Sequence, residues 1–219
     1  MKQSFKPGNM LYPLPVVMVS LADAGWDSGA EDAAKPNIIT VAWAGTICSN
    51  PPMLSISVRP ERYSHDIIER TGEFVVNLTT RELARATDYC GVKSGRDVDK
   101  FREMHLTPLA SSVIGAPGIA ESPVNLECRV REIRRLGSHD LFIAEVVHVT
   151  VDDRFMDEKG TFHLNDSDLI TYSHGRYFTL GEELGYFGYS VAKKKTAVTR
   201  GKGTGAGRKP SGGKKHVRK

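Results

Sequence analysis

A chain of 219 residues, 40% hydrophobic and 26% charged, has the balance of a soluble globular protein, and β-rich chains of up to roughly 200–250 residues often form one domain. The longest apolar run, Leu14 to Leu21, is broken by Pro15 and Ser20 and falls short of the about 20 apolar residues a membrane helix needs; with Pro7, Gly8 and Pro13 it also lacks the helical core of a secretory leader, so a cytoplasmic chain without a membrane partner is expected. The formal net charge of +4 conceals an asymmetry, because residues 191–219 carry eleven Lys or Arg and no Asp or Glu, which leaves 19 basic against 26 acidic residues before them.

From the N-terminus, Val16 to Ala22 reads as a strand, and Trp26 to Lys35, rich in Gly, Ala and acidic residues, as a loop. Ile38 to Trp43 and Met53 to Val58 are β-branched and alternate, as strands with one face in a core do. Between them Ala44, Gly45, Thr46, Cys48 and Ser49 are small or hydroxylated and read as a turn whose backbone amides can come close to a flat ligand. Asn50-Pro51-Pro52 is the break before the next strand. Arg59 and Arg62 then supply charge, and Ser64 is placed to cap a helix from Ser64 to Thr71. A helix N-terminus attracts phosphate, so the stretch Asn37 to His65 suits an anion. A hairpin followed by an ordinary capped helix with solvated arginines accounts for the same residues.

Farther on, strands are expected at Glu73 to Leu78, Asn125 to Gly137, Asp140 to Val151 and Leu169 to Tyr172. Helices are expected at Thr80 to Cys90, with Thr80 as cap, and at Asp97 to Met104. Many short strands separated by Gly and Pro turns favour a barrel or sandwich over βαβ units, and no Gly-x-Gly-x-x-Gly follows a strand.

Seven scattered histidines form no metal-ligand cluster, and no Gly-x-Ser-x-Gly elbow occurs, so neither a metal site nor nucleophilic hydrolysis is supported. Cys48, Cys90 and Cys128 are odd in number and lack ligand spacing, as free thiols in a reducing compartment do. The glycines of residues 201–213 follow no strand and lack the Lys-Ser/Thr ending of a phosphate loop. Residues 191–219 read as a disordered basic tail, able to make weak contact with nucleic acid or simply to aid solubility.

Tyr12-Pro-Leu-Pro-Val-Val-Met-Val-Ser20, Asn37-Ile-Ile-Thr-Val-Ala-Trp43, Asn50-Pro-Pro52, Arg59-Pro60 with Ser64-His65, Gly72 to Asn77, Ser94 to Phe101 and His139 to Val146 occur in order and at fitting spacing. Together they resemble the flavin reductase-like, FMN-binding split-barrel family, and within it the flavoredoxins, over about residues 8 to 190. The resemblance implies a mainly β fold with short helices, a split β-barrel of about six or more antiparallel strands, over residues 1–190. It implies FMN rather than FAD as cofactor, NAD(P)H as electron donor, and a homodimer. An NAD(P)H-dependent flavin reductase-like oxidoreductase is the activity expected. A flavoredoxin-type carrier reduced by a partner protein, and non-enzymatic binding through the basic tail, stand as alternatives.

The resemblance also assigns cofactor-binding positions. Asn37 and Trp43 match flavin contacts, Ser64 a hydroxylated position at the phosphate, Lys100 a flavin-binding lysine and His139 a further FMN contact. Tyr172 falls where relatives often carry Phe. Arg59 is expected at the phosphate, and the backbone near Thr46 and Cys48 at the polar edge of the ring. No catalytic acid or base is expected, because reduced nicotinamide delivers hydride directly to flavin.

Overall fold

The computed structural model describes residues 1–27 and 34–192. Among these, β1 is Leu14–Pro15, β2 Val17–Leu21, β3 Asn37–Val41, β4 Ala44–Ser49, β5 Pro52–Val58 and β6 Glu73–Leu78. Then follow β7 (Pro108–Leu109), β8 (Gly118–Ile119), β9 (Val124–Arg135), β10 (Asp140–Val151), β11 (Ile170–Ser173) and β12 (Arg176–Thr179). The helices are α1 (Tyr63–Thr71), α2 (Ala84–Val92) and α3 (Lys100–Glu103).

Seven strands form one antiparallel sheet in the order β3-β2-β6-β9-β10-β5-β4. Its two edge strands, β3 and β4, are consecutive in sequence and separated only by Ala42 and Trp43. The sheet therefore curls until its edges meet at that pair, where the amide of Ser57 donates to the carbonyl of Trp43 at 2.9 Å. Register shifts at Ile143/Ala144 and Val146/His148 let the long β9–β10 ladder follow this curvature. The result is the split-barrel architecture anticipated above.

Alternation builds two cores from one sheet. Val17, Val19 and Leu21 of β2 join Ile56, Phe74, Cys128 and Phe142 inside the curl, where α1 closes one end with Ile67 and Ile68. Met18 and Ile38 point the other way and pack with Leu83, Ala86, Cys90 and Phe101 beneath α2 and α3. Both faces of β2 are covered, which is why all five of its residues are buried. A smaller sheet, β1-β11-β12, is hydrogen-bonded through Leu14↔Tyr172 and Tyr172↔Tyr177.

Several local expectations need correction. Ala44 to Ser49 is an edge strand paired with β5 rather than a turn, and the reversal falls at Asn50-Pro51. Helix α1 begins at Tyr63, with Arg62 at its N-cap and no side-chain cap. Ser64 therefore lies inside the first turn, its hydroxyl engaged elsewhere. Thr80 bridges Leu169 in extended pairing, so α2 starts at Ala84, four residues later than expected. The third helix is only the turn Lys100–Glu103, capped by Asp99, whose carboxylate accepts from the Arg102 amide at 3.1 Å.

Residues 1–181 form one compact unit, and the described part of a second, residues 182–192, holds a short 3-10 turn at Tyr189–Val191. The basic tail lies outside the described residues from 193 onward. No helix among the described residues is long and apolar enough to cross a membrane.

Candidate functional site

Where the sheet edges meet, a cavity of about 440 Å³ opens over the β3–β4 junction. Its walls come from Thr40 to Trp43, from Ser57 to Arg59 at the end of β5, from Arg62, from Asp88 and Gly91 on α2, from His139, and from Tyr172 and Tyr177 of the small sheet. One side is aromatic. The Trp43 indole lies against His139 with ring centroids 4.3 Å apart and an interplanar angle of 39°. Tyr172 meets Tyr177 edge-on at 5.6 Å. Burial, reinforced by Arg59, pushes the His139 pKa down, so a neutral imidazole faces the cavity near pH 7. Tyr177 donates to Asp88 at 3.1 Å, and burial followed by that bond raises its pKa to about 12.

Arg62 also borders a second cavity of about 240 Å³, together with Glu61, Ser64, Lys93, Ser94, Gly95, Arg96 and Lys100. Its cations outnumber its one carboxylate, Glu61, which pairs with Arg59 at 3.1 Å. Lys100 is only 2% exposed, and its ammonium donates to the carbonyls of Ile38 at 2.6 Å and Cys90 at 2.9 Å. Among the described residues no carboxylate pairs with it. Burial pushes its pKa down to about 8, opposed by the Cys90 thiol and assisted by Arg62. Arg62 donates to Gly91 O at 2.7 Å, and Arg96 lies 5.3 Å over the Tyr63 ring.

Asn37 fixes the floor between these groups. Its side-chain amide donates to Ser64 Oγ at 2.8 Å, and its Oδ1 is buried without a hydrogen-bond partner. Gly95 lies directly against it. A Cβ there would stand 2.6 Å from Asn37 Cγ and 2.7 Å from Tyr63 Cδ1, so glycine is required by the close approach rather than by backbone angle.

The residues singled out from sequence thus separate into groups. Trp43, His139, Tyr172 and Arg59 line the first cavity, while Ser64 and Lys100 line the second. Asn37 lines a neighbouring hollow of about 400 Å³ and reaches the second cavity through Ser64. Thr46 and Cys48 stand on β4 opposite Leu54 and Met53, outside both cavities. Arg62 carried a sequence signal as a cation before the helix but was not placed in the site. Arg96 lies within the Ser94 to Phe101 motif but carries no expectation of its own, whereas Asp88 and Tyr177 have no local signal, because only tertiary packing brings them there.

The remaining reactive groups are sequestered or scattered. Burial raises the thiols of Cys90 and Cys128 to about 11 and about 12, so both are protonated near pH 7. No cluster of three or more His, Cys, Asp or Glu side chains able to hold a metal occurs among the described residues.

The cavities can be tested for FMN, which couples a flat ring to a dianionic phosphate. A buried ammonium with only carbonyl partners beside Arg62 and Arg96 lacks the counter-charge that a phosphate provides. The Trp43–His139 wall offers the surface that a flat ring needs. The groups present fit both halves of that molecule.

Comparison with known proteins follows the same line. Residues 10–181 match the family model of the flavin reductase like domain. An uncharacterised protein of Archaeoglobus fulgidus is 35% identical over 169 residues, covering 77% of this chain and 89% of that one. Among solved structures, flavoredoxin of Desulfovibrio vulgaris superposes with a TM-score of 0.77 at 30% identity, over 88% of this chain and 100% of the other. Flavoredoxin of Methanosarcina acetivorans gives a TM-score of 0.74 at 26% identity, over the same shares.

Proposed function

The chain belongs to the flavin reductase-like domain family, and on that footing we propose that it is an FMN-binding oxidoreductase that takes reducing equivalents from NAD(P)H. The observation that carries this reading is Lys100, a buried cation with no carboxylate partner among the described residues, beside Arg62, which borders both cavities. FMN, when bound, supplies the hydride and electron chemistry. The protein supplies placement. Lys100, Arg62 and Arg96 hold the phosphate, with the Ser64 hydroxyl set by Asn37. Trp43 and His139 flank the ring, and Arg59 adds positive charge at the cavity rim.

Neutral His139 presents an uncharged face to the ring. No side chain is assigned as acid or base, because direct hydride transfer requires only that donor and acceptor be stacked. A homodimer, as the family resemblance implies, belongs to the same reading.

The likeness to flavoredoxin supports a second reading, an FMN-bound electron carrier reduced by a partner protein. The first test is the purified chain itself. A yellow protein that releases FMN on denaturation supports both readings, and a colourless one that takes up no added FMN refutes them. Anaerobic stopped-flow mixing with NADH and with NADPH then separates the two. Rapid bleaching of the bound flavin establishes the reductase, whereas no bleaching with either nicotinamide leaves the carrier.

A further inference from the structure

Trp43 does not line one cavity alone. On the outer face of the β4–β5 hairpin a second opening, of about 480 Å³, is bounded by Trp43, Ala44, Gly45, Ser55 and Ser57 and by the N-terminal arm from Gly8 to Tyr12 with Leu14. Its composition contrasts with that of the flavin cavity. The flavin cavity presents Arg59, Arg62 and Asp88, whereas among the described residues no charged side chain lines the outer one, whose walls include Met10, Leu11, Leu14, Tyr12 and Trp43. Ser55, Ser57 and Asn9 supply the few neutral polar groups. Trp43 and Ser57 are common to both cavities, so their occupants are neighbours.

We propose that the outer cavity binds a small, planar, uncharged electron acceptor of the quinone class. A charged acceptor would leave its ion without a counter-group or full hydration there, which is costly. A flat ring buries apolar area against Trp43, Tyr12 and the aliphatic arm, and its carbonyl oxygens can accept from serine hydroxyls. The volume lies within the range typical of small-ligand sites. This assignment rests on the FMN reading for its chemistry. In turnover one NAD(P)H and one proton convert one quinone to its hydroquinone, two electrons and two protons arriving on the quinone, with NAD(P)⁺ as the other product.

Gly45 makes the assignment testable without touching the flavin groups. It pairs with Ser55 on β5, while its neighbour Ala44 pairs with the buried Ile56, so Gly45 belongs to the outer face. A Cβ built on it meets no atom within 4 Å, and its φ lies outside the left-handed region. Gly45→Phe therefore fills the outer cavity without backbone strain. The probe is 2-methyl-1,4-naphthoquinone, titrated calorimetrically into the full-length FMN-loaded chain with no nicotinamide present.

Saturable binding that Gly45→Phe weakens at least tenfold, with FMN content and visible spectrum unchanged, is the expected result. Arg62→Ala should lower FMN retention yet leave quinone binding intact. Absence of quinone binding, equal binding by Gly45→Phe, or displacement of quinone by FMN would each overturn the assignment. So would a Gly45→Phe chain whose association state changes while its quinone affinity does not, since this face would then be an interface between copies. If the chain takes up no FMN but still binds the quinone in a manner sensitive to Gly45→Phe, the oxidoreductase reading fails and the site stands.

Discussion

The side-chain amide of Asn37, on β3, donates to the hydroxyl of Ser64, in the first turn of α1, at 2.8 Å and in a fully buried setting. This bond ties the strand that feeds the Trp43 wall to the helix that borders the second cavity, the proposed phosphate site. Ser64→Ala removes the acceptor and leaves the Asn37 amide buried and unpaired. A loss of about 1–3 kcal/mol in unfolding free energy is expected, with FMN affinity falling by about 1 kcal/mol. Urea denaturation and flavin fluorescence titration measure the two, and unchanged values in both would dissociate Ser64 from site and fold alike.

Gly95→Ala acts on the same floor from the opposite side. The added methyl would overlap the Asn37 amide and the Tyr63 ring, which must move apart. Overpacking of this kind costs roughly 1–3 kcal/mol. Since Asn37 orients Ser64, FMN affinity should fall together with the melting temperature, whereas a variant that melts earlier but binds FMN normally would show that the floor does not matter to the ligand.

Lys100 predicts opposite responses to pH with and without ligand. Its native pKa of about 8 lies below the ordinary 10.5, so between these values the unfolded chain holds more protons than the native one. Stability of the flavin-free protein therefore rises with pH from 8 toward 10.5, the burden of the buried ammonium being complete below 8. The raised thiols of Cys90 and Cys128 work the other way above their ordinary 9.0, and Lys100 itself acts on the Cys90 thiol, so the difference between wild type and Lys100→Met reports the lysine below about pH 9. FMN affinity, in contrast, should fall as pH rises through 8, because the ammonium proposed to hold the phosphate is lost. Lys100→Met should be more stable than wild type at pH 7 by about 3 kcal/mol at most and bind FMN at least tenfold more weakly. Equal pH profiles for the two proteins would rule out a buried titrating lysine.

How much of this was legible in the chain depends on where each signal resides. Glu73 to Leu78 and Asp140 to Val151 are rich in β-branched and aromatic residues, and the structure has both strands with those bounds. The small residues from Ala44 to Ser49 suggest a turn, yet an edge strand needs only a partner, and Met53 to Val58 provides it. The capping role expected of Ser64 was lost to Asn37, a residue 27 positions away. Of the site, the cations and aromatics near Asn37 to His65 carried local signals. The Asp88–Tyr177 bond spans 89 residues and leaves no trace in either local sequence.

Asp140 offers the most demanding test, because it lies next to His139 yet lines neither cavity. It is 2% exposed, accepts from His65 Nε2 at 2.9 Å, and pairs with Arg135 at 2.5 Å. Asp140 opens β10 immediately after His139, and His65 follows Ser64 in α1, so this contact joins the strand behind His139 to the helix turn that carries Ser64. Removing one member of a buried charged pair typically costs about 3–5 kcal/mol, although Arg135 is largely exposed and solvent will soften its share. Asp140→Ala is accordingly expected to lose about 2–3 kcal/mol of stability, measured by urea denaturation, and to weaken FMN binding more than tenfold although no atom of Asp140 lines the cavities. Asp140→Asn keeps one acceptor for His65 and should recover most of the FMN affinity while remaining less stable than wild type. Normal FMN affinity in Asp140→Ala would show that His139 and Ser64 are held by the sheet and helix alone.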